Sequence, residues 1–257
     1  MQPLKGVRIL DFGQVILLPF ATRWLAWMGA EIILVESKSR PVQRLTPPFA
    51  FGRRGLNTGA RFNTLNFNKT GCTLNLKSPK ALGLIRKLVA QSDAVVENFS
   101  TGTMEKLGLG YEELRKANPS LVYLSASAFG RTGEWRDYIG FHSAVNAFSG
   151  LADITGYEGG PPRLLGAVLP DTIGGIYITL ALLLALYDRR RTGQSAYVDF
   201  SMLEGMLSVM PEPIIDFTLN QREPTRVGNR HASKAPHGIY RCKGEDQWVA
   251  ISVSSQD

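Results

Sequence analysis

Short apolar runs alternate with amphipathic stretches over the first half of the chain. Apolar runs of strand length lie at 6–12, 30–36, 93–99 and 120–127. Helical periodicity marks the stretches at 19–29, 78–92 and 110–119. Ser78 and Pro79 add an N-cap residue and a first-turn proline to the second of these helices. Strands without polar alternation, separated by helices, are typical of parallel sheets, so the pattern predicts an α/β fold with a doubly wound parallel sheet.

The second half of the chain contains one long apolar run. The run from Ile173 to Tyr187 falls short of the ~20 residues that span a bilayer, so it predicts a buried helix and no membrane association. A strand at 195–200 and a helix from Ser201 are predicted to follow.

The region after this helix changes in composition. The stretch at 211–238 is rich in Pro, Asn, Arg and Gly and predicts a linker, and the tail predicts a hairpin that turns at 243–246. We therefore expect a large α/β domain at 1–220, a linker at 221–238 and the start of a second, smaller domain at 239–257.

Composition places the chain among globular proteins. Its 257 residues are 44% hydrophobic and 20% charged, which is enough apolar content to bury a sizeable core. Cys72 and Cys242 stand apart from each other and from any histidine cluster, so neither a disulfide framework nor a metal site is predicted. The first residues lack the basic and apolar segments of a secretory signal, so a cytoplasmic location is expected.

Positive charge is concentrated in one part of the chain. The net charge is +7, and the segment between Ser37 and Ser92 contains no Asp or Glu but eleven basic residues: Lys38, Arg40, Arg44, Arg53, Arg54, Arg61, Lys69, Lys77, Lys80, Arg86 and Lys87. Charge runs of this kind favour an anionic ligand, although a solvated basic face gives the same pattern. No zinc finger, RNP-like motif or basic recognition helix accompanies the charge, which disfavours nucleic acid as a partner. A phosphorylated small molecule fits the pattern best.

The N-terminal β-α-β pattern is Rossmann-like, with Glu36 at the end of its second strand, as in dinucleotide-binding proteins. The turn after the first strand reads DFGQVILLPF, with one glycine where three are needed and Pro19 where the helix should begin. This turn cannot bring the backbone close to a pyrophosphate in the usual way. The sequence therefore disfavours NAD and FAD as ligands.

Two residues are candidate reactive groups. Asp171 is a lone acid ahead of the apolar run, and His142 precedes it at a distance that is compatible with a shared cleft. The other histidines, His231 and His237, lie in the predicted linker and are interpreted as structural. On pattern alone, Asp171 is either a helix N-cap or a reactive carboxylate.

Seven motifs, in order, identify a family that the chain resembles. They are LKGVRILDF at 4–12, WMGAEIILVE at 27–36, NFNKTGCTLNL at 66–76, VVENFSTGTMEKLGL at 95–109, NPSLVYLSASAFGRTG at 118–133, PD at 170–171 and ALYDRRRTGQSAYVDFSMLEG at 185–205. Together they resemble the family III CoA-transferases, the group that includes formyl-CoA transferase and carnitine CoA-transferase. The resemblance runs from residue 4 to the end of the sequence.

The resemblance implies an enzyme that moves CoA from an acyl-CoA donor to a free carboxylic acid. Asp171 would attack the thioester to give a mixed anhydride, and the released thiolate would convert it to an aspartyl-CoA thioester. Gly174 and Gly175 would let substrate and backbone approach closely. No permanently bound cofactor is expected, since CoA is itself a substrate. The resemblance also implies an interlocked homodimer and a small domain that is incomplete in this chain.

Eight residues are expected, by resemblance, to contact CoA: Val15, Ile16, Lys38, Leu74, Asn98, Phe99, Lys106 and Arg136. Val15 and Leu74 would line the nucleotide pocket, and Asn98 and Phe99 would lie near the adenine. Lys106 would take the place of a phosphate-binding arginine, and Lys38 would substitute for a basic residue that is Ser37 here. Ile16 replaces a glutamine that contacts acyl intermediates in formyl-CoA transferase, which disfavours an oxalate or formyl acceptor.

Two other functions remain open at the level of sequence. The α-methylacyl-CoA racemases share the fold and an aspartate at the position of Asp171, but their catalytic histidine aligns with Phe141 and not with His142. An inactive CoA-binding fragment is the other alternative, because the resemblance implies an incomplete small domain. We take Asp171 and His142 as the predicted catalytic residues.

Overall fold

The computed structural model describes residues 2–39, 41, 43–166 and 168–255. Over these residues the main sheet consists of six parallel strands: β1 (Arg8–Asp11), β2 (Glu31–Glu36), β3 (Thr70–Thr73), β4 (Ala94–Glu97), β5 (Val122–Ser127) and β6 (Ala196–Ser201). The strand order is β3-β2-β1-β4-β5-β6, and it reverses between β1 and β4. The predicted doubly wound, Rossmann-like sheet is therefore confirmed.

Helices connect these strands and cover the sheet. In chain order they are α1 (Leu17–Trp27), α2 (Ala60–Asn66), α3 (Pro79–Val89), α4 (Thr103–Lys106), α5 (Tyr111–Ala117), α6 (His142–Phe148), α7 (Leu151–Ile154), α8 (Leu169–Thr192), α9 (Met202–Leu207) and α10 (Pro211–Asn220). The tail forms an antiparallel hairpin of β7 (His237–Arg241) and β8 (Trp248–Ser252), as the sequence predicts. The domain boundaries stay a prediction.

The sheet is buried on both faces because successive residues of its central strands point to opposite layers. Ile9 and Val96 pack in one core with α1 and α8, whereas Leu10 and Val95 pack in the other with α3 and α5. All four side chains are fully buried. This two-sided burial explains why the strands lack polar alternation in the sequence.

The structure differs from the sequence prediction in places that have physical reasons. The stretch predicted as a linker begins with helix α10, because Pro211 and Pro213 lie in its first turn, where a missing N–H costs no helical hydrogen bond. Strand β3 gives no apolar signal, because it lies at the sheet edge with largely exposed side chains. Ser78 precedes α3 as predicted, but its side chain makes no capping hydrogen bond.

Helix α8 extends beyond the predicted 173–187 at both ends and is buried on one side only. Its exposed side carries an apolar stripe of Ile176, Leu180, Leu184 and Tyr187. By length and composition the helix could cross a membrane, and half of its most apolar window is buried in the protein. Core helices of soluble proteins meet the same criterion, so this finding is weak evidence for a membrane span.

Helices α1 and α8 approach each other closely where they cross, at two glycines of α8. A Cβ at Gly175 would lie 2.6 Å from Cδ1 of Phe20 and 3.2 Å from the backbone oxygen of Leu17. A Cβ at Gly174 would lie 2.9 Å from Cδ1 of Leu17. The close approach that these glycines permit in the fold is therefore between two helices, and a contact of the glycine pair with substrate stays a prediction.

Gly175→Ala should lower the free energy of unfolding by about 1–3 kcal/mol, because the added methyl group overpacks the helix crossing. Gly83 in α3 is the matched control, since a Cβ there meets no atom within 4 Å. Gly83→Ala should raise the free energy of unfolding by about 0.5–1 kcal/mol through helix propensity alone. Urea unfolding followed by circular dichroism measures both changes. Equal effects in the two variants would contradict the packing argument.

Candidate active site

The candidate site lies at the carboxyl edge of the sheet, where the strand order reverses between β1 and β4. The residues that follow these two strands are hydrogen-bonded to each other. Asn98 Oδ1 accepts from the backbone N of Gln14 at 2.7 Å, and Asn98 Nδ2 donates to the backbone oxygen of Gln14 at 3.0 Å. Ligands of doubly wound folds bind in the crevice at this reversal. The two loops therefore form one connected rim around it.

The turn after β1 has a constrained backbone. Gly13 N donates to Asp11 Oδ1 at 2.7 Å, and a Cβ at Gly13 would lie 2.6 Å from that oxygen. Val15 follows with a φ of 64°, in the left-handed region that β-branched residues rarely adopt. Such conformations persist only where neighbouring contacts hold them, and they are concentrated at functional sites. The turn leaves Val15 exposed at the rim.

A cleft of about 320 Å³ opens beside this turn. Its wall includes Val15, Leu74, Asn98 and Phe99, four of the residues that the sequence predicts to contact CoA. Phe141, the residue before His142, also lines the cleft. Residues from four separate segments of the sequence thus meet around one cavity.

The other four predicted CoA contacts lie elsewhere. Lys38 borders a neighbouring concavity that shares Leu74 with the cleft. Ile16 is buried ahead of α1, Lys106 is exposed on α4, and Arg136 is exposed in the loop before α6. Over the residues that the structure describes, the cleft wall includes none of these last three, and their roles stay predictions.

Asp171 and His142 come together in the fold. Asp171 lies in the first turn of α8, two residues inside the helix, so it is not the N-cap, which is Val168. His142 is the first residue of α6, and its Nδ1 lies 3.5 Å from Asp171 Oδ2. Asp171 is 5% exposed, and within the described part of the chain no donor hydrogen-bonds to its Oδ2. One carboxylate oxygen is therefore buried and unpaired beside an imidazole.

The environment of Asp171 makes its carboxyl unusually basic. Burial raises the pKa of Asp171 to about 6. The charge of His142 and the backbone N–H groups of Leu17 and of Asp171 itself lower this pKa and offset part of the effect. The N-terminal turn of a helix also favours a negative charge. At neutral pH the carboxylate is mostly ionised but poorly solvated, which suits it to attack an electrophilic carbon.

A buried ion pair that the sequence analysis did not identify supports the cleft wall from behind. Arg131 Nη2 lies 3.0 Å from Glu97 Oε1 and donates to the backbone oxygen of Phe99 at 2.8 Å. The backbone N of Phe99 donates in turn to Glu97 Oε2 at 2.8 Å. Burial raises the pKa of Glu97, and Arg131 opposes that change. An acid that ends an apolar strand, as in AVVENF, is the sequence signal that indicates such a pair.

The basic segment is less available to ligands than its charge count indicates. Arg44 forms a bidentate pair with Glu36, at 2.7 Å to each oxygen, and Lys69 is buried against Asp11. Arg40 lies outside the described residues. Two of the eleven cations are thus neutralised by acids outside the segment. Among the described residues, no three His, Cys, Asp or Glu side chains are grouped to hold a metal ion.

Comparison with known proteins identifies relatives over almost the whole chain. A family model described as CoA-transferase family III matches residues 4–257. The chain is 36% identical to the succinyl-CoA–D-citramalate CoA-transferase of Chloroflexus aurantiacus, over 99% of this chain and 62% of that protein. It is 34% identical to the succinate–glutarate CoA-transferase of Agrobacterium fabrum, over 92% of this chain and 60% of that protein.

A solved structure shares the fold. The crystal structure of a CaiB/BaiF family protein from Brucella suis superimposes with a TM-score of 0.88 at 30% identity, and the match covers 97% of this chain and 65% of that chain. The present chain spans about three fifths of the length of the curated relatives named above.

Asp171→Asn should raise the free energy of unfolding above pH 6 by about 3 kcal/mol, because the wild-type protein buries a carboxylate there. With a pKa of about 6 in the folded protein against 3.8 in the unfolded chain, the folded protein binds up to one more proton than the unfolded chain between these pH values. The stability of the wild type therefore rises as the pH falls through this window. The difference in the free energy of unfolding between Asp171→Asn and the wild type should therefore shrink as the pH falls. Urea unfolding at pH values from about 4 to 8 measures this difference.

Asp93→Asn is the control for this comparison. Asp93 Oδ1 accepts from Arg189 Nη1 at 2.6 Å, so its loss should lower the free energy of unfolding at neutral pH. A constant difference between Asp171→Asn and the wild type across this pH range would show that the pKa of Asp171 is not raised.

Proposed function

The chain belongs to CoA-transferase family III, and we propose that it moves CoA from an acyl-CoA donor to a free carboxylic acid with Asp171 as the nucleophile. The observation that carries this proposal is the buried Asp171 carboxylate, whose Oδ2 is unpaired beside His142. Such a transfer needs an ionised carboxylate that can attack a thioester, and a buried carboxylate at a helix N-terminus meets that need. The names of the two curated relatives favour a carboxylic acid acceptor.

The proposed reaction holds CoA on the enzyme between two half-reactions. The Asp171 carboxylate attacks the carbonyl carbon of the donor thioester, the C–S bond breaks, and a mixed anhydride and a CoA thiolate result. The thiolate attacks the Asp171 carbonyl carbon, which releases the donor carboxylate and leaves an aspartyl-CoA thioester. An acceptor carboxylate then reverses both steps and leaves with CoA attached.

We place CoA in the cleft between the β1 and β4 loops. Val15, Leu74 and Phe99 supply an apolar wall that suits the adenine. The side chain of Asn98 is bonded to the Gln14 backbone, so its contribution is to hold that wall in place. Lys38 borders the adjoining concavity and supplies a cation for the 3′-phosphate. No permanently bound cofactor is proposed.

Racemisation is the second candidate function, because an aspartate and a histidine lie together at the site. A two-base racemase places its acid and base on opposite faces of a substrate carbon. His142 Nδ1 and Asp171 Oδ2 are 3.5 Å apart, which leaves no room for a carbon between them. The pair therefore favours transfer, with His142 orienting the nucleophile.

The homodimer and the cytoplasmic location are further proposals. The apolar stripe of α8, formed by Ile176, Leu180, Leu184 and Tyr187, is half or more exposed at each position. A stripe of this kind suits contact with a second subunit, which the resemblance to interlocked transferases also implies. The molar mass in solution, measured by light scattering, tests this proposal.

Incubation with an acyl-CoA alone should leave a CoA adduct on the peptide that contains Asp171, because the first half-reaction needs no acceptor. Asp171→Ala should lose the adduct and lower kcat by about a thousandfold or more, since the covalent route is then closed. Quenching, proteolysis and mass spectrometry detect the adduct. Asp188→Ala, an exposed position at the other end of α8, is the matched control and should keep both adduct and turnover.

The alternative functions give different results in this experiment. A racemase would exchange the α-hydrogen of its substrate for deuterium in heavy water without forming an adduct. An inactive chain would bind CoA and do neither. Undiminished turnover in Asp171→Ala would show that the nucleophile is another group.

Lys38→Ala should weaken CoA binding about tenfold at low salt and leave the binding of 3′-dephospho-CoA unchanged, because the lost contact is with the 3′-phosphate. Isothermal titration calorimetry at two salt concentrations measures both affinities. Lys106→Ala tests the competing assignment of the phosphate to α4 and should leave both affinities unchanged. Loss of the preference for CoA in Lys106→Ala alone would move the phosphate site to α4.

A further inference from the structure

A lysine is buried directly beneath the turn that carries Val15. The side chain of Lys69 is 1% exposed, and its Nζ lies within hydrogen-bond distance of four acceptors: Asp11 Oδ2 at 3.1 Å, Pro19 O at 3.2 Å, Thr22 Oγ1 at 2.7 Å and Asn66 Oδ1 at 3.0 Å. An ammonium group has only three protons to donate. All of them are therefore taken up inside the protein, and none remains for a substrate.

A contribution to the stability of the fold does not by itself explain why this ammonium group is buried. Burial lowers the pKa of Lys69, and the carboxylate of Asp11 raises it again. A buried ion pair is a poor source of stability, because desolvation of the two charges offsets their attraction. What the pair does provide is a fixed geometry, since each of its atoms is held by directional hydrogen bonds.

Asp11 transmits this geometry to the turn after β1. Its Oδ1 accepts from Gly13 N at 2.7 Å, and its Oδ2 accepts from Thr22 Oγ1 at 2.7 Å. Because Thr22 lies in α1, the carboxylate joins the turn to the helix that follows. Without Lys69, the same carboxylate would be a buried charge with no cation beside it, which is costly enough to displace it or to protonate it.

Helix α1 in turn places a donor at the reactive carboxylate. The helix begins at Leu17, which lies against Gly174 and Gly175 in the same helix as Asp171, and the backbone N–H of Leu17 lowers the pKa of Asp171. Lys69 is bonded to Thr22, less than two turns further along the same helix. The contacts therefore run from the buried lysine through Asp11 and α1 to Asp171 without a break.

We propose that Lys69 is a positioning residue for the nucleophile: through Asp11 and α1 it holds the Leu17 N–H against the Asp171 carboxylate. The proposal rests on the proposed function only in taking Asp171 as the nucleophile. Loss of Lys69 lets the start of α1 shift, which weakens the Leu17 contact and misaligns the carboxylate. Among the described residues, Lys69 is not part of the cleft wall, so it acts on CoA binding only through the Gly13 turn that Asp11 holds.

Lys69→Met and Thr22→Val test this proposal without adding a charge to the core. Lys69→Met should lower kcat about tenfold or more and change KM for acyl-CoA by a smaller factor, since a small misplacement of a reacting group is costly and the Gly13 turn is only one part of the cleft wall. In both variants the pKa of Asp171, followed by carboxyl ¹³C NMR, should be higher than in the wild type. Thr22→Val removes a single hydroxyl group, so it supplies both readouts if Lys69→Met does not fold.

Two further variants separate positioning from stability. Asp11→Asn combined with Lys69→Met removes both charges but keeps an acceptor for Gly13 and a donor for Thr22. This double variant should return kcat and the Asp171 titration toward wild-type values. Arg189→Met removes the ion pair with Asp93 at the opposite edge of the sheet, so it should lower stability and leave the titration unchanged.

The outcomes distinguish this proposal from the proposed function. Reduced stability with unchanged kcat and an unchanged Asp171 titration in Lys69→Met and Thr22→Val would overturn the positioning role. A higher KM with kcat unchanged would overturn it as well, because Lys69 would then act on CoA binding. If the wild type turns over no acyl-CoA, the proposed function fails, and the Asp171 titration still decides whether Lys69 positions that carboxylate.

Discussion

The crossing of α1 over α8 is the contact on which the rest of the site depends. Asp171 lies in α8, and Leu17, whose backbone N–H lowers the pKa of Asp171, begins α1 near the start of the chain. The two meet because Gly174 and Gly175 have no side chains to hold the helices apart. Both helices also pack into the same core on one face of the sheet. The Asp171 carboxylate is thus placed by the main packing of the fold, which gives it little freedom to move.

The two loops of the cleft follow β1 and β4, on either side of the strand reversal. Each loop is held by the same type of buried ion pair. Asp11 ends β1 and Glu97 ends β4, and each is a buried acid paired with a cation, Lys69 or Arg131. Each carboxylate accepts the backbone N–H of the residue two positions further on, at 2.7 Å and 2.8 Å. A strand-end acid that bends the chain in this way is stabilised by a buried cation, because a buried carboxylate without one is costly. The ion pairs therefore shape the rim of the cleft more than they stabilise the fold.

The sequence predicts those parts of the structure in which burial produces a local pattern of apolar residues. The central strands are apolar on both faces and were predictable, whereas the edge strand β3 is mostly exposed and carries no such signal. The family resemblance predicted four of the residues that line the cleft, Val15, Leu74, Asn98 and Phe99, because it assigns roles to positions along the chain. Charge pairing was not predictable in this way. Arg44 and Lys69 count as free cations in the sequence because their partners, Glu36 and Asp11, lie outside the basic segment and join it only in the fold.

The reactivity proposed for Asp171 depends on a balance between burial and nearby donors. Burial alone would raise the pKa of Asp171 further and favour the neutral carboxyl group, which does not attack a thioester. The charge of His142 and the Leu17 N–H oppose this effect and leave a pKa of about 6. The group then stays ionised at neutral pH while it remains more basic than an ordinary carboxylate. A reversible transfer needs such an intermediate value, because the same carboxylate must attack the donor thioester and later leave from the acceptor anhydride. In the proposed reaction the position of the Leu17 N–H is thus part of the chemistry, and the helix crossing that sets this position ties the packing of the core to that reaction.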